Sequence, residues 1–198
     1  MGISTDGMGL ESSRGSSDSL KKSLPAWSFE DVSKSKPWQR LHCHQPLLCV
    51  EVQIDRIYAL LKGGLRMVAY RFPGGQPIAE CLLPFQGNKL LVTQQGVAVL
   101  HQKEGRVTMW ERSHLSEIVR IPVGQMPSDM VLLSKKFLLV TNREDGSLSL
   151  LDLQAGKEVE RILVGGAPNE IVQHPRHLII LHRGFPQMTL LPLSVFSR

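Results

Sequence analysis

The stretch GSLSLLDLQAGKEVERILVG, residues 146–165, decides the fold, because a shift of 41 residues lays it without a gap on GRVTMWERSHLSEIVRIPVG, residues 105–124. Glycine falls on glycine at both ends. Between them Asp152 meets Glu111, Val159 meets Ile118, Arg161 meets Arg120, Ile162 meets Ile121 and Val164 meets Val123. The same shift carries Gly124–Pro127 onto Gly165–Pro168 and Phe137–Val140 onto Leu178–Leu181. An earlier copy is fainter. Met67–Tyr70 lands on Thr108–Glu111, while the runs near Ile57 and Ile78 fit better at an offset of 40.

Each copy is built from short apolar runs separated by Gly, Pro, Asn and Asp, which is the pattern of strands and tight turns. The clearest copy reads as four strands: a over Asp129–Leu133, b over Phe137–Thr141, c over Ser147–Asp152 and d over Glu158–Val164. No stretch keeps a helical period with caps. A repeat near 41 residues holding four short strands has the length of one propeller blade. One such sheet cannot bury both of its faces, so the copies must stack side by side.

The run Val123-Gly-Gln-Met-Pro127, then Leu138–Asn142, Leu150–Asp152 and Ile162–Gly165 resembles the YVTN-type repeat of WD-like β-propellers. The fourth copy keeps Val164–Pro168 but carries Leu181-His-Arg183 where the family has Val-Thr-Asn. The resemblance implies an all-β chain, a partial β-propeller of about four four-stranded blades at about 43–83, 84–123, 124–164 and 165–198, the last one incomplete. Residues 1–40 precede them as a Ser-rich tail, mostly disordered, with ten serines; residues 1–23 bury too little to offset ordering entropy. The last copy stops before a strand d. Either the segment around Trp27–Val32 supplies that strand and closes a small ring, or the chain is a fragment or shortened form of a larger propeller.

Charge and cysteine content narrow the function. The formal charge is +5, but Lys and Arg outnumber Asp and Glu only six to five in residues 1–40 and 17 to 13 beyond. No basic stripe forms, so a nucleic-acid partner is not expected. No segment has the ~20 apolar residues of a membrane span, so no membrane partner is expected either. Cys43, Cys49 and Cys81 are too few and irregular for a disulfide framework, which suits the cytoplasm or nucleus. His42-Cys43-His44 lacks the second ligand pair that zinc needs. His174, His177 and His182 with Arg176 and Arg183 read as a solvated basic face. The chain carries no nucleophile elbow, phosphate loop or zinc-protease helix.

The expected function is a non-enzymatic protein–protein interaction scaffold without cofactor or metal, with unidentified protein partners and self-association through open blade faces. A propeller enzyme of lactonase or reductase type, with its site at the channel mouth, is the alternative; a non-functional shortened product is a third. The residues expected to meet a partner are of three kinds. Asp129 and Glu170, with Asn88, recur every 41 residues at the start of strand a and would ring the channel mouth. Asn142, Arg143, Asp145 and Arg183 lie in the b–c turns. Trp27 and Trp38 form an aromatic cluster in the tail.

Overall fold

The computed structural model describes residues 27–29, 41–43 and 45–196. Two short strands, β1 (Trp27–Phe29) and β2 (Leu41–Cys43), pair with each other. Four antiparallel sheets follow, each built from strands consecutive in the chain. The first holds β3 (Leu47–Val52), β4 (Arg56–Leu61), β5 (Arg66–Arg71) and β6 (Pro77–Leu82). The second holds β7 (Lys89–Val92), β8 (Val97–His101), β9 (Arg106–Trp110) and β10 (Glu117–Pro122). The third holds β11 (Pro127–Leu132), β12 (Phe137–Asn142), β13 (Ser147–Asp152) and β14 (Lys157–Leu163). The fourth has three strands, β15 (Pro168–Gln173), β16 (His177–His182) and β17 (Met188–Pro192), and a 3-10 turn over Leu193–Phe196. These are propeller blades, and the last is incomplete.

The strand registers correct the sequence alignment in three places. Lys89 pairs with Leu100 as Asp129 pairs with Thr141, so Lys89 and not Asn88 is the counterpart of Asp129, an offset of 40. Phe137 pairs with Asp152 and His177 with Pro192, so Leu138 is the counterpart of Leu178, an offset of 40 and not 41. The a–b turn of the fourth blade is one residue shorter than that of the third. The first blade also runs at 40 throughout: Leu60 pairs with Met67 as Leu100 pairs with Val107, so Met67 answers to Val107 and not to Thr108.

Side chains alternate between the two faces of each sheet, and successive blades bury their facing sides. Tyr58, Leu60, Met67 and Ala69 of the first blade pack on Val97, Val99 and Trp110 of the second. Ala98, Leu100, Val107 and Met109 meet Leu138, Val140 and Leu151 of the third. Leu139, Leu148 and Leu150 meet Leu178 and Ile180 of the fourth. The same four positions recur at each junction, with the buried Thr141 as the fourth of them in the third blade. Each fully buried Leu contributes roughly 1.5–3 kcal/mol. The strands a (β3, β7, β11 and β15) contact one another in succession and form the inner edge.

The matches that betrayed the repeat have structural jobs. Glu111 and Asp152 end strand c and cap the next turn: Glu111 accepts from the Ser113 and His114 N–H groups, Asp152 from Gln154 and Ala155. Those bonds hold the Glu111 carboxyl down to about 2, the His114 N–H acting most strongly. In strand d an extra residue bulges out at Ile78, Ile118 and Val159. The bulge puts residues three apart on one side, so Arg120 pairs with Glu117 and Arg161 with Glu158.

A second repeat is polar, buried in the second and third blades and half-buried in the fourth. The last residue of strand b bonds a hydroxyl seven residues on in strand c: His101 with Thr108, Asn142 with Ser149 and His182 with Thr189, each at 2.8 Å. Trp110 Nε1 also donates to Thr108 Oγ1 at 2.7 Å. In the first blade the pair is apolar, Leu61 and Val68. Burial pushes the fully enclosed His101 imidazole below its ordinary value. The unfolded chain takes up this proton near pH 6.5, while the folded chain resists it. His101 therefore supports full stability above about pH 6.5 and withdraws it as the pH falls. In urea unfolding followed by circular dichroism, the midpoint is expected to fall from about pH 7.5 to about pH 5.5. His101→Asn, which copies Asn142, is expected to reduce that fall; an unchanged pH dependence contradicts the assignment.

Candidate interaction surfaces

One face of the arc carries the b–c turns and the turns that join blades. Main-chain bonds tie the two kinds together. Arg143 N–H donates to Met126 O at 3.1 Å, Val164 N–H to Gly146 O at 2.9 Å and Arg183 N–H to Ala167 O at 2.8 Å. Side chains reinforce them. Asp145 accepts from the Gln125 N–H at 2.7 Å and reaches Arg161 at 3.4 Å. Asn142 is fully buried and donates to Ser147 and Ser149. Gly124 sits against both residues, and a Cβ there would overlap them. Asn142 and Asp145 therefore hold this face together from within. Arg143 is half-buried and Arg183 exposed, so these two guanidinium groups remain accessible to a partner.

The three channel-mouth positions do not form one equivalent ring. Asn88 accepts from the Gln102 N–H at 2.9 Å. Asp129 is buried; its Oδ1 accepts from the Met130 N–H at 2.8 Å and pairs with Lys89, and its Oδ2 accepts from the Ile171 N–H at 2.9 Å. Lys89, Asp129 and Ile171 belong to the strands a of three consecutive blades, so one carboxylate stitches all three. Glu170 occupies the same repeat position and is exposed. Among the described residues no further strand lies beyond it to be gripped.

In the tail, the backbone of Trp27 pairs with Cys43. Trp38, His44 and residues 1–23 lie outside the described residues. Of the segment expected to complete the fourth blade, Trp27–Phe29 forms β1 and pairs with β2, and among the described residues β17 pairs only with β16. Two extended strands so close in sequence find each other at lower entropic cost than a distant edge.

Other chemistry is sparse. Cys49 and Cys81 are free. Burial pushes both thiols up, Cys81 to about 12, which makes them poor nucleophiles. Among the described residues no three His, Cys, Asp or Glu groups converge as a metal site. On the opposite face a cleft of about 250 Å³ lies between the first two blades, lined by Gln53, Asp55, Arg56, Tyr58, Arg112 and Ser113. Its Arg56 and Tyr58 both donate to the Arg112 carbonyl, at 2.8 and 3.2 Å.

The two ends of the arc differ. On the fourth blade the side away from the third carries Val172, Ile179, Met188 and Leu190. The registers make them counterparts of Val131, Leu139, Leu148 and Leu150, the side of the third blade that the fourth covers. Here Val172 is 49%, Met188 62% and Leu190 61% exposed. Sequence reasoning anticipated open blade faces but not which residues form them, because that requires the register.

No family model matches the sequence, and no curated protein matches it. Solved structures do. A Kuenenia stuttgartiensis hydrazine synthase chain superimposes with a TM-score of 0.67 at 14% identity, over 82% of this chain and 50% of that one. BamB from Moraxella catarrhalis gives 0.64 at 15%, over 80% and 50%. The WD40 domain of Neurospora crassa Pan2 gives 0.60 at 13%, over 79% and 53%. The chain thus spans about half the length of these proteins. The likeness shows the fold, a β-propeller, and nothing finer.

Asp129→Ala is expected to lower the unfolding free energy by about 2–4 kcal/mol, since it strands the buried Ile171 and Met130 N–H groups. Lys89→Met, which removes only a partly exposed partner, is expected to cost under about 1 kcal/mol. Urea denaturation of the two variants measures both, and equal effects contradict the stitching role.

Proposed function

We propose that this chain is a non-enzymatic protein–protein interaction scaffold built on WD-like propeller blades, a fragment or shortened form of a larger propeller protein. One observation carries this reading: the fourth blade carries the apolar side chains that join one blade to the next, and it presents Val172, Met188 and Leu190 to solvent. Contiguous apolar surface of this kind marks an association site. The complement is defined by the third junction, where Leu178 and Ile180 fill the equivalent surface. The partner is therefore a protein presenting a blade-like apolar sheet face. Exposed Glu170 and Arg183 supply opposite charges at the same end of the arc, which favours a defined orientation over a merely sticky contact. Free, unreactive Cys49 and Cys81 fit a reducing compartment, the cytoplasm or nucleus.

Affinity capture from cells, followed by binding with the purified captured protein, tests the reading. Met188→Asp together with Leu190→Asp is expected to weaken binding at least about tenfold, the effect of ~1.4 kcal/mol. Leu163→Asp, at an exposed site on outer strand β14, serves as the control and is expected to bind as the wild type does. Equal binding by all three proteins contradicts the proposal, as does a partner without a sheet domain. Turnover of a lactone, or stoichiometric metal in the purified protein, contradicts the non-enzymatic reading.

A further inference from the structure

The first blade has an end face too, and it behaves in the opposite way. Its side away from the second blade consists of Ile57, Ala59, Leu61, Val68 and Tyr70, each 5% exposed or less. The registers identify them as counterparts of Val97, Val99, His101, Thr108 and Trp110, the side of the second blade that the first one covers. In the second, third and fourth blades this side is closed by the preceding blade. Among the described residues no blade precedes the first, yet its five side chains are as buried as their counterparts. They form a cluster of their own, and among the described residues Leu47 is the one partly buried apolar side chain packed against it. Leu47 alone is too small to shield five residues spread over two strands.

Chain connectivity restricts the source of the cover. Strand β2 ends at Cys43 and β3 begins at Leu47. Four residue steps reach at most ~14 Å at 3.3–3.6 Å each, so the β1–β2 hairpin is tethered beside β3, the inner edge of this blade. Composition agrees with position. Where the later blades carry the polar pair, the first has Leu61 and Val68, so at these two positions the face asks its cover for no hydrogen bonds. We propose that the β1–β2 hairpin lies over the outward face of the first blade in place of a preceding blade. A two-stranded ribbon caps this end of the arc while the fourth-blade end stays open. The arc is then one-sided: it adds a partner at one end only, and head-to-tail growth through the first blade is blocked.

Thiol accessibility in the full chain tests this. With Cys43→Ser, Cys49→Ser and Cys81→Ser as background, single cysteines are placed by Val68→Cys or Ala59→Cys on the first blade and by Leu190→Cys on the fourth. Labelling of Val68→Cys and Ala59→Cys is expected to be slower than that of Leu190→Cys on the order of 100-fold, since it must await local opening. Replacing β1 through Trp27→Gly, Ser28→Gly and Phe29→Gly weakens the strand. This change is expected to speed labelling at 68 and 59 by about tenfold or more and to leave 190 unaltered. First-blade labelling as fast as at 190, or insensitive to the glycine replacement, overturns the proposal. So does protection that disappears on dilution, which would make a second copy the cover.

Discussion

A four-stranded antiparallel blade of this sequence has two apolar faces and can satisfy neither alone, and the rest of the molecule follows from that. Four recurring positions on one blade meet the opposing positions on the next, junction after junction. The hydrogen bonds are arranged around this stacking. Asp129 reaches across to the Ile171 N–H of the next blade and pairs with Lys89 of the previous one, so polar and apolar contacts resist the same separation. Breaking one junction would expose two faces at once, which makes the arc cooperative rather than a string of independent sheets.

The fold was legible because its repeat is carried by exposed or capping residues whose chemistry is restricted. Glu111 and Asp152 must accept from a turn, and Arg120 and Arg161 must meet an acid three residues back, so each type survives from copy to copy. The registers were less legible. Leucine-rich strands align equally well at 40 or 41, and only cross-strand pairing decides between them. The polar pair at the end of strand b was hidden for another reason. His101, Asn142 and His182 share a hydrogen-bonding role but not a residue type, and the pattern emerges only from the seven-residue step to Thr108, Ser149 and Thr189.

The candidate site was legible only in part. Sequence spacing brought Asp129 and Glu170 together as equivalent positions, yet their surroundings differ because one has a following blade and the other has none among the described residues. Asn142 and Asp145 are engaged in holding turns together, while Arg143 and Arg183 remain open to solvent. An open apolar blade face lies at the fourth-blade end of the arc. Its apolar residues look in sequence like any core strand, and their exposure depends on a neighbour that spacing cannot reveal.

The blades stand only by leaning on each other, and native-state hydrogen exchange at increasing urea tests this most directly. Amides in the central strands of the second and third blades, β8, β9, β12 and β13, are expected to open with one common free energy equal to that of global unfolding. Distinct opening free energies for the two blades, each insensitive to a cavity placed in the other by Val140→Ala or Val107→Ala, would contradict it.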